Sequence, residues 1–255
     1  MKRKRVLLTG ATGLIGRQVA PPLTRLGYDV LPVSRRGAGL RGHLVDDPEA
    51  VATAARAEAL IHLAWYDGPN RMGAAENLDW VCASLRLLTA FAAEGGKRVV
   101  MVGSCAEYDW TGGGRMDEAT PLRPASVYGA AKAATGLAVI AGARALGLSL
   151  AWARPFFCYG PGEAEGRLFG DIIKGLQAGK AVDCTDGLQR RDFLHTEDLG
   201  AALAALLKSP VEGAINIGSG SAVAVRDMIG TLARQMGRED LIRLGARSRP
   251  ADDPA

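Results

Sequence analysis

The fold is decided by the stretch Thr9-Gly10-Ala11-Thr12-Gly13-Leu14-Ile15-Gly16, a glycine-rich segment near the start of the chain. The short run Lys4-Arg5-Val6-Leu7-Leu8 precedes it and predicts a buried strand, and residues 17–26 predict a helix. A strand, a glycine turn and a helix leave backbone N–H groups free at the positive end of the helix dipole. Such a site binds an anion, and the usual anion is the pyrophosphate of a dinucleotide.

The three glycines of this segment have separate roles. Gly10 permits the tight turn, Gly13 lets phosphates approach the backbone, and Gly16 lets the helix pack on the strand. The spacing is Gly-x-x-Gly-x-x-Gly rather than Gly-x-Gly-x-x-Gly, and the alternative is an ordinary turn with unrelated glycines. Position and context favour the cofactor site, whose candidate contacts are Gly10, Thr12, Gly13, Leu14, Ile15 and Gly16.

The composition is that of a globular protein, with 48% hydrophobic and 23% charged residues among 255. The net charge of +4 is scattered apart from Lys2-Arg3-Lys4-Arg5, which predicts a solvated strand entrance rather than nucleic-acid binding. No apolar run of the sequence approaches the ~20 residues of a membrane span. The four cysteines are too widely spaced for a zinc site and no signal peptide precedes them, so we expect a cytoplasmic protein without a metal.

Short apolar runs alternate with helical patterns over the first two thirds of the chain, which predicts an α/β protein with a doubly wound parallel sheet. The later predicted strands are residues 28–33, 43–45, 59–64, 97–102 and 148–153, and the longest helices are residues 71–93 and 127–146. Residues 155–166 are expected as a loop. We expect a dinucleotide-binding domain over residues 1–154, with returns near 188–218, and a small C-terminal substrate-binding lobe of residues 155–187 and 219–255.

Two arginines, Arg35 and Arg36, follow the second predicted strand, where a doubly wound sheet places the adenosine ribose. An acid there binds the 2′-hydroxyl of NAD, whereas the planar fork of arginine suits the 2′-phosphate of NADP. The residues favour NADP over NAD, and the alternative is a pair of arginines in a surface loop. Asp46 is expected near the adenine, and Leu63 and Ala64 end the fourth strand beneath the cofactor.

Ser104 follows the fifth predicted strand, at the edge where open α/β sheets place their sites. Tyr128 and Lys132 are four residues apart and share one face of a helix. Because an ammonium group lowers the pKa of a nearby phenol, these residues predict a proton-transfer site for a ketone or alcohol beside a nicotinamide. Trp65, in a loop, is expected to face the substrate, and His62 is expected to be a core residue.

Taken in order, these motifs resemble the short-chain dehydrogenase/reductase superfamily, and more narrowly its extended branch, the NAD(P)-dependent epimerase/dehydratase family acting on nucleotide sugars. The resemblance covers nearly the whole chain and implies a Rossmann fold. It implies that Ser104 and Tyr128 bind the sugar oxygen, that Tyr128 is the acid/base, and that Lys132 also holds the nicotinamide ribose. Further similar stretches are residues 102–108, 154–162 and 190–198.

The resemblance also nominates residues outside this group. Arg191 matches an arginine that contacts the nucleotide diphosphate, and the alternative is an ion pair with Asp192 or Glu197. Asn77 matches a family position and is expected to fix the local backbone. Pro155 is a further candidate for the cofactor, and the candidates for the substrate are Trp65, Glu107, Phe157, Arg167, Arg191 and Arg249.

Two departures from the family narrow the expected reaction. Cys105 and Ala106 stand where dehydratases of the family carry an Asp-Glu pair, so dehydration is not expected, and Phe157 replaces an asparagine that contacts the sugar. We expect an NADP-preferring ketoreductase of a nucleotide-linked keto-deoxysugar. The alternatives are a nucleotide-sugar epimerase with retained NAD and a non-catalytic dinucleotide-sensing protein. The helices at 77–91 and 127–146, the second rich in alanine, predict a homodimer.

Overall fold

The computed structural model describes residues 3–34, 39–163 and 166–249. The chain divides into two compact units. The first comprises Met1–Asp109, Gly114–Pro155 and Thr196–Ile217, and the second comprises Trp110–Gly113, Phe156–His195 and Gly218–Ala255. Each unit has its own sheet structure and its own buried apolar cluster.

The elements follow one another as a strand–helix alternation. In chain order, the strands are β1 (Arg5–Thr9), β2 (Asp29–Ser34), β3 (Leu40–Arg41), β4 (Ala59–His62), β5 (Arg98–Val102), β6 (Ser149–Pro155), β7 (Phe157–Tyr159), β8 (Val182–Asp183), β9 (Arg190–His195), β10 (Gly213–Ile217), β11 (Ala222–Ala224) and β12 (Ile242–Arg243). The helices are α1 (Gly16–Arg25), α2 (Pro48–Ala55), α3 (Glu76–Ala93), α4 (Val127–Gly142), α5 (Leu168–Gln177), α6 (Thr196–Lys208) and α7 (Val225–Gln235).

The first unit is built on a sheet of seven parallel strands in the order β10-β6-β5-β4-β1-β2-β3. Helix α1 packs with α6, while α3 packs with both α2 and α4. Central strands covered on both faces must be apolar on both faces. Accordingly Val6, Leu7 and Leu8 of β1 and Leu60 and Ile61 of β4 are fully buried. The predicted doubly wound α/β sheet is confirmed.

The third strand lies at Leu40–Arg41 rather than at the predicted residues 43–45. The backbone turns at 43–47, where the N–H groups of Asp46 and Asp47 both donate to the carbonyl of His43, at 3.1 and 3.0 Å. Asp47 then caps helix α2 with its carboxylate. The prediction of a strand at 43–45 is therefore wrong, because the His43 carbonyl is already satisfied within a turn and does not pair with a neighbouring strand.

The two long helices are shorter than predicted. Helix α3 begins at Glu76 instead of residue 71, because the N–H groups of Gly73 and Ala74 close a turn on the carbonyl of Asn70, which has a positive φ of 49°. Helix α4 ends at Gly142 instead of residue 146. Within the described ranges, every helix is too short or too polar to span a lipid bilayer.

The second unit holds a three-stranded sheet in the order β11-β9-β7 and a pairing of β12 with β8. Strand β7 lies inside the segment predicted as a loop, since three residues carry no detectable period and only pairing with β9 makes them a strand. Residues 188–195 were expected with the first domain. They lie in the second unit, because β9 pairs with β7 and β11, and the chain returns to the first unit at Thr196.

Replacing Gly16 with Ala should lower the free energy of unfolding by about 1–3 kcal/mol, because a Cβ at this position would overlap the Gly10 carbonyl oxygen and lie 2.8 Å from Ala11 Cα. Urea unfolding measures the loss. The control is Gly230→Ala in helix α7, where a Cβ meets no atom within 4 Å and the change should be neutral or stabilising. Equal stability of the two variants would show that the turn opens without cost.

Candidate active site

The glycine turn sits directly against the end of strand β4. Gly10 has a positive φ of 68°, and a Cβ there would lie 2.8 Å from the Ala64 nitrogen and 3.0 Å from the Leu63 carbonyl carbon. Gly13 closes the turn by donating its N–H to the Gly10 carbonyl at 3.0 Å. A Cβ on Gly13 would meet only that oxygen within 4 Å, so there is space on the Cβ side of this backbone.

The N-terminus of α1 has donors to offer. No side chain caps this end at Ile15, and its first turn carries no acidic residue. Arg17 adds positive charge, since its guanidinium donates to the carbonyls of Gly13 and Thr12 at 3.1 and 3.3 Å. Backbone donors at the positive end of a helix, with room for close approach, fit the pyrophosphate of a dinucleotide.

A buried chain of polar side chains fixes the end of β4. The Thr9 hydroxyl oxygen accepts the N–H groups of Leu63 and Ala64, at 3.1 and 3.2 Å, and lies 2.8 Å from His62 Nδ1. His62 Nε2 lies 2.9 Å from the Ser84 hydroxyl. Burial, with the charge of Lys132, lowers the pKa of His62 to about 3, so the ring is neutral. His62 is a satisfied core residue, as predicted.

The structure brings Ser104 and Tyr128 together. Ser104 follows β5 and caps the 3₁₀ turn Cys105–Glu107, its hydroxyl accepting the Ala106 N–H at 3.1 Å. Tyr128 lies in the first turn of α4, with its phenol beside the Ser104 side chain. Burial raises the pKa of the Tyr128 phenol, while the nearby Ser104 side chain and the charge of Arg71, 5.9 Å from the ring centroid, oppose that rise.

Lys132 is buried one helical turn beyond Tyr128, with 4% of its surface exposed. Its Nζ donates to the Val102 carbonyl at 2.7 Å, lies 3.6 Å from the centroid of the Trp65 indole, and is 6.0 Å from the Tyr128 ring centroid. Burial lowers the pKa of Lys132 to about 7, opposed by the charge of Glu107. A cation that is shielded from water and close to the phenol is suited to assist its ionisation.

Glu107 does not face a substrate, in contrast to the expectation from the sequence. Its side chain is fully buried and pairs with Arg154, whose Nε lies 2.8 Å from Glu107 Oε2. The Trp152 indole donates to both carboxylate oxygens at 3.0 and 3.1 Å, and the Ser104 N–H donates at 2.8 Å. Because a buried carboxylate must be paired, Glu107 belongs to the interior and holds the backbone of Ser104 in place.

Asn77 fixes the local backbone, as predicted. It is fully buried, and its amide nitrogen donates to the carbonyls of Arg71 and Ala74, both at 2.8 Å. Its oxygen accepts the Trp65 indole N–H at 2.8 Å. No local pattern predicted Arg71 near Tyr128, because the turn before α3 that places it there is closed by backbone hydrogen bonds.

The remaining candidates of the first unit are dispersed. Arg35 and Arg36 lie outside the described residues. Asp46 is exposed and pairs with His43 Nδ1 at 3.2 Å. Pro155 is buried at the end of β6, in register with Ile217 of β10.

Of the candidates of the second unit, Arg191 and Phe157 lie together. Arg191 is 3% exposed, and its guanidinium carbon lies 5.4 Å from the Trp110 ring centroid and 5.3 Å from that of Phe157. Asp192, offered as an ion-pair partner, accepts the N–H groups of Ser219 and Gly220 instead. The other two are Arg167, partly exposed at the start of α5, and Arg249, which pairs with Asp186 at 2.9 Å.

An enzyme that transfers hydride to or from a nicotinamide dinucleotide needs hydrogen-bond donors for the cofactor phosphates at one strand end. It needs a proton-transfer group at another strand end. The fold and the site of the first unit supply both, and they define a Rossmann-type oxidoreductase that uses a nicotinamide dinucleotide. The chain belongs to the NAD dependent epimerase/dehydratase family, whose family model matches residues 6–218.

Individual relatives cover most of the chain. It is 26% identical over 238 residues to dTDP-6-deoxy-L-talose 4-dehydrogenase (NAD(+)) of Aggregatibacter actinomycetemcomitans, spanning 88% of this chain and 87% of that protein. It is also 26% identical to UDP-glucose 4-epimerase of Corynebacterium glutamicum, over 98% and 85% of the two chains. The solved structure of MoeE5 in complex with UDP-glucose and NAD is similar with a TM-score of 0.81 at 30% identity, over 98% and 87%.

Replacing Glu107 with Gln should cost about 3–5 kcal/mol of unfolding free energy, because the Arg154 guanidinium is left buried without its carboxylate. Urea unfolding gives the value. The matched control is Glu49→Gln, which breaks an exposed pair with Arg86 at 2.6 Å and should have a much smaller effect. If both variants lose the same stability, burial is not what makes the Glu107 pair matter.

Proposed function

We propose that this protein is a cytoplasmic, NADP-preferring ketoreductase of a nucleotide-linked keto-deoxysugar. The observation that carries the proposal is the buried ammonium of Lys132, 6.0 Å from the centroid of the Tyr128 ring, with the Ser104 side chain beside the phenol. A relative that is named as a dehydrogenase of a dTDP-deoxysugar supports the substrate class. No disulfide joins the cysteines of the described residues, which agrees with a reducing compartment.

Three side chains carry out the proposed proton transfer. The nicotinamide, when bound, supplies the hydride. The Ser104 hydroxyl donates a hydrogen bond to the keto oxygen, and the Tyr128 phenol gives that oxygen its proton as the carbon is reduced. The charge of Lys132 stabilises the phenolate that remains, and a proton from solvent restores the phenol. The donors proposed to hold the cofactor phosphates are the backbone N–H groups of Leu14, Ile15 and Gly16 at the start of α1, since those of Gly13, Arg17 and Gln18 donate within the turn.

The proposed contacts with the nucleotide sugar in the second unit are Phe157, Arg167, Arg191 and Arg249. Arginine is suited to diphosphate because its fork donates two parallel hydrogen bonds. The second candidate function is a nucleotide-sugar epimerase with retained NAD, which the similarity to UDP-glucose 4-epimerase favours. The arginines at 35 and 36 favour the reductase, since net reduction draws on an exchangeable NADPH pool.

Incubation with NADPH and a panel of nucleotide keto-sugars should consume NADPH in step with sugar reduction. Absorbance at the nicotinamide band follows the cofactor, and chromatography of the products follows the sugar. An isomerised sugar without net consumption of NADPH would establish the epimerase instead.

The control in the same assay is Tyr128→Phe, which keeps the ring and removes the proton. Turnover should fall by roughly two to four orders of magnitude, the usual range of acid–base catalysis, while cofactor binding survives. Turnover close to that of the parent would remove Tyr128 from the mechanism.

The NADP preference is tested by replacing Arg35 and Arg36 together with Ala. If they bind the 2′-phosphate, NADPH affinity should fall relative to NADH by roughly two orders of magnitude, because each charged hydrogen bond contributes about 1.5–3 kcal/mol. Dissociation constants of both cofactors give the ratio. The control removes the exposed charges of Arg144 and Lys208 elsewhere, and equal weakening of both cofactors would contradict the assignment.

We also propose a homodimer through helices α3 and α4. The exposed positions of α4 are all apolar, and they are Val127, Ala130, Ala134, Leu137, Ala138 and Ala141. Leu137 and Leu78 of α3 are each 59% exposed. An apolar helix face of this kind is typical of an interface, and the helical pairing suits a four-helix arrangement of two copies.

Sedimentation at micromolar concentration should give a dimer for the parent and a monomer for Leu137→Glu, because a buried charge at the interface is unfavourable. Leu188→Glu, at a leucine 52% exposed in the second unit, is the matched control and should remain dimeric. A monomeric parent would contradict the proposed interface.

A further inference from the structure

The Lys132 ammonium rests on an aromatic ring. Its Nζ lies 3.6 Å from the centroid of the Trp65 indole, well within the ~6 Å range of cation–π attraction. The second contact of the ammonium is the Val102 carbonyl at 2.7 Å. With Lys132 only 4% exposed, the ring face replaces water on one side of the charge, and such an attraction is stronger where water is excluded.

The indole itself is held by a buried amide. Trp65 Nε1 donates to Asn77 Oδ1 at 2.8 Å, and the amide nitrogen of Asn77 donates to two carbonyls. These three hydrogen bonds fix which way the amide faces. Rotation of Trp65 away from Lys132 would leave the Asn77 oxygen unpaired in the interior, which is unfavourable.

We propose that Trp65 is a positioning residue for Lys132, and that its indole face holds the ammonium beside Tyr128 in its charged form. This inference rests on the proposed function, because a charged Lys132 serves the proton transfer of Tyr128. It departs from the expectation that Trp65 simply faces the substrate. The chain thereby uses an anchored ring to hold a cation that burial would otherwise neutralise.

The balance of charge around Lys132 shows why the ring matters. Burial lowers the pKa of Lys132 to about 7 in spite of the opposing charge of Glu107. The other titratable neighbours are His62, which is neutral, and Tyr128, whose phenol is protonated because burial raises its pKa. Near neutral pH a modest stabilisation of the ammonium therefore changes the fraction of Lys132 that is charged.

The test is the titration of Lys132 in the cofactor-free protein, by NMR of lysines carrying ¹³C at the ε carbon. Lys132→Met assigns the signal through its loss. In Trp65→Leu the pKa of Lys132 should fall by about one unit, the size expected for a desolvated cation–π contact. A rise in the pKa would show that Trp65 only shields Lys132 from water, and no change would show no coupling, so either result overturns the inference.

Two further variants keep the test decisive. Trp80→Leu removes the neighbouring indole, whose ring centroid lies 6.3 Å from that of Trp65. This variant should leave the pKa of Lys132 unchanged. Trp65→Phe keeps a ring face without the Asn77 hydrogen bond, and it should lower the pKa of Lys132 less than Trp65→Leu does. This variant tests the inference if Trp65→Leu fails to fold.

The kinetic counterpart is the pH profile of kcat/KM for sugar reduction. The part of this profile that depends on the protonation of Lys132 should shift in Trp65→Leu in the same direction as the pKa of Lys132. Absence of turnover on every nucleotide sugar would remove the proposed function and leave the titration readable. Normal, Tyr128-dependent reduction with an unshifted Lys132 would overturn this inference alone.

Discussion

Helix α1 can begin directly beside the glycine turn because Gly16 has no side chain, since the Gly10 carbonyl occupies the space that a Cβ there would need. Gly10 in turn lies against the backbone at the end of β4, where the Thr9 hydroxyl accepts the N–H groups of Leu63 and Ala64. The first turn, the fourth strand end and the start of the helix are therefore one close-packed assembly. Its geometry places the N-terminus of α1 where backbone N–H groups can bind an anion. The other site residues depend on a ligand bound at that position.

The acid/base group depends on how charges are buried. Glu107 is fully paired by Arg154, Trp152 and the Ser104 N–H, so the interior fixes the serine without exposing a carboxylate to the reaction. Lys132 is held differently, by a carbonyl and an aromatic face. A buried ammonium that is held by a carbonyl and an aromatic ring can gain or lose its proton near neutral pH. A buried ammonium in a salt bridge would stay charged at every working pH.

Membership in the family gives the cofactor class, a nicotinamide dinucleotide, but not the outcome of the reaction. Reduction, epimerisation and dehydration share the hydride step, and they differ in what else touches the sugar. Cys105 and Ala106 offer no acid/base pair where dehydratases have one. The second unit surrounds Arg191 with Trp110 and Phe157, which gives this chain an aromatic setting for its candidate substrate arginine.

The sequence by itself determined the doubly wound sheet, the glycine turn and the position of Tyr128 and Lys132 on one helix face, because these depend on local periodicity and on spacing along one strand or helix. Tertiary structure alone decided which polar side chains point inward. The burial of Glu107 with Arg154 joins residues far apart in sequence, and no local pattern records it. Short strands such as β7 exist only through their pairing partners, and the ring beneath Lys132 is set by a buried amide on another helix. Long-range packing fixes these features, since each requires two distant segments to exclude water together.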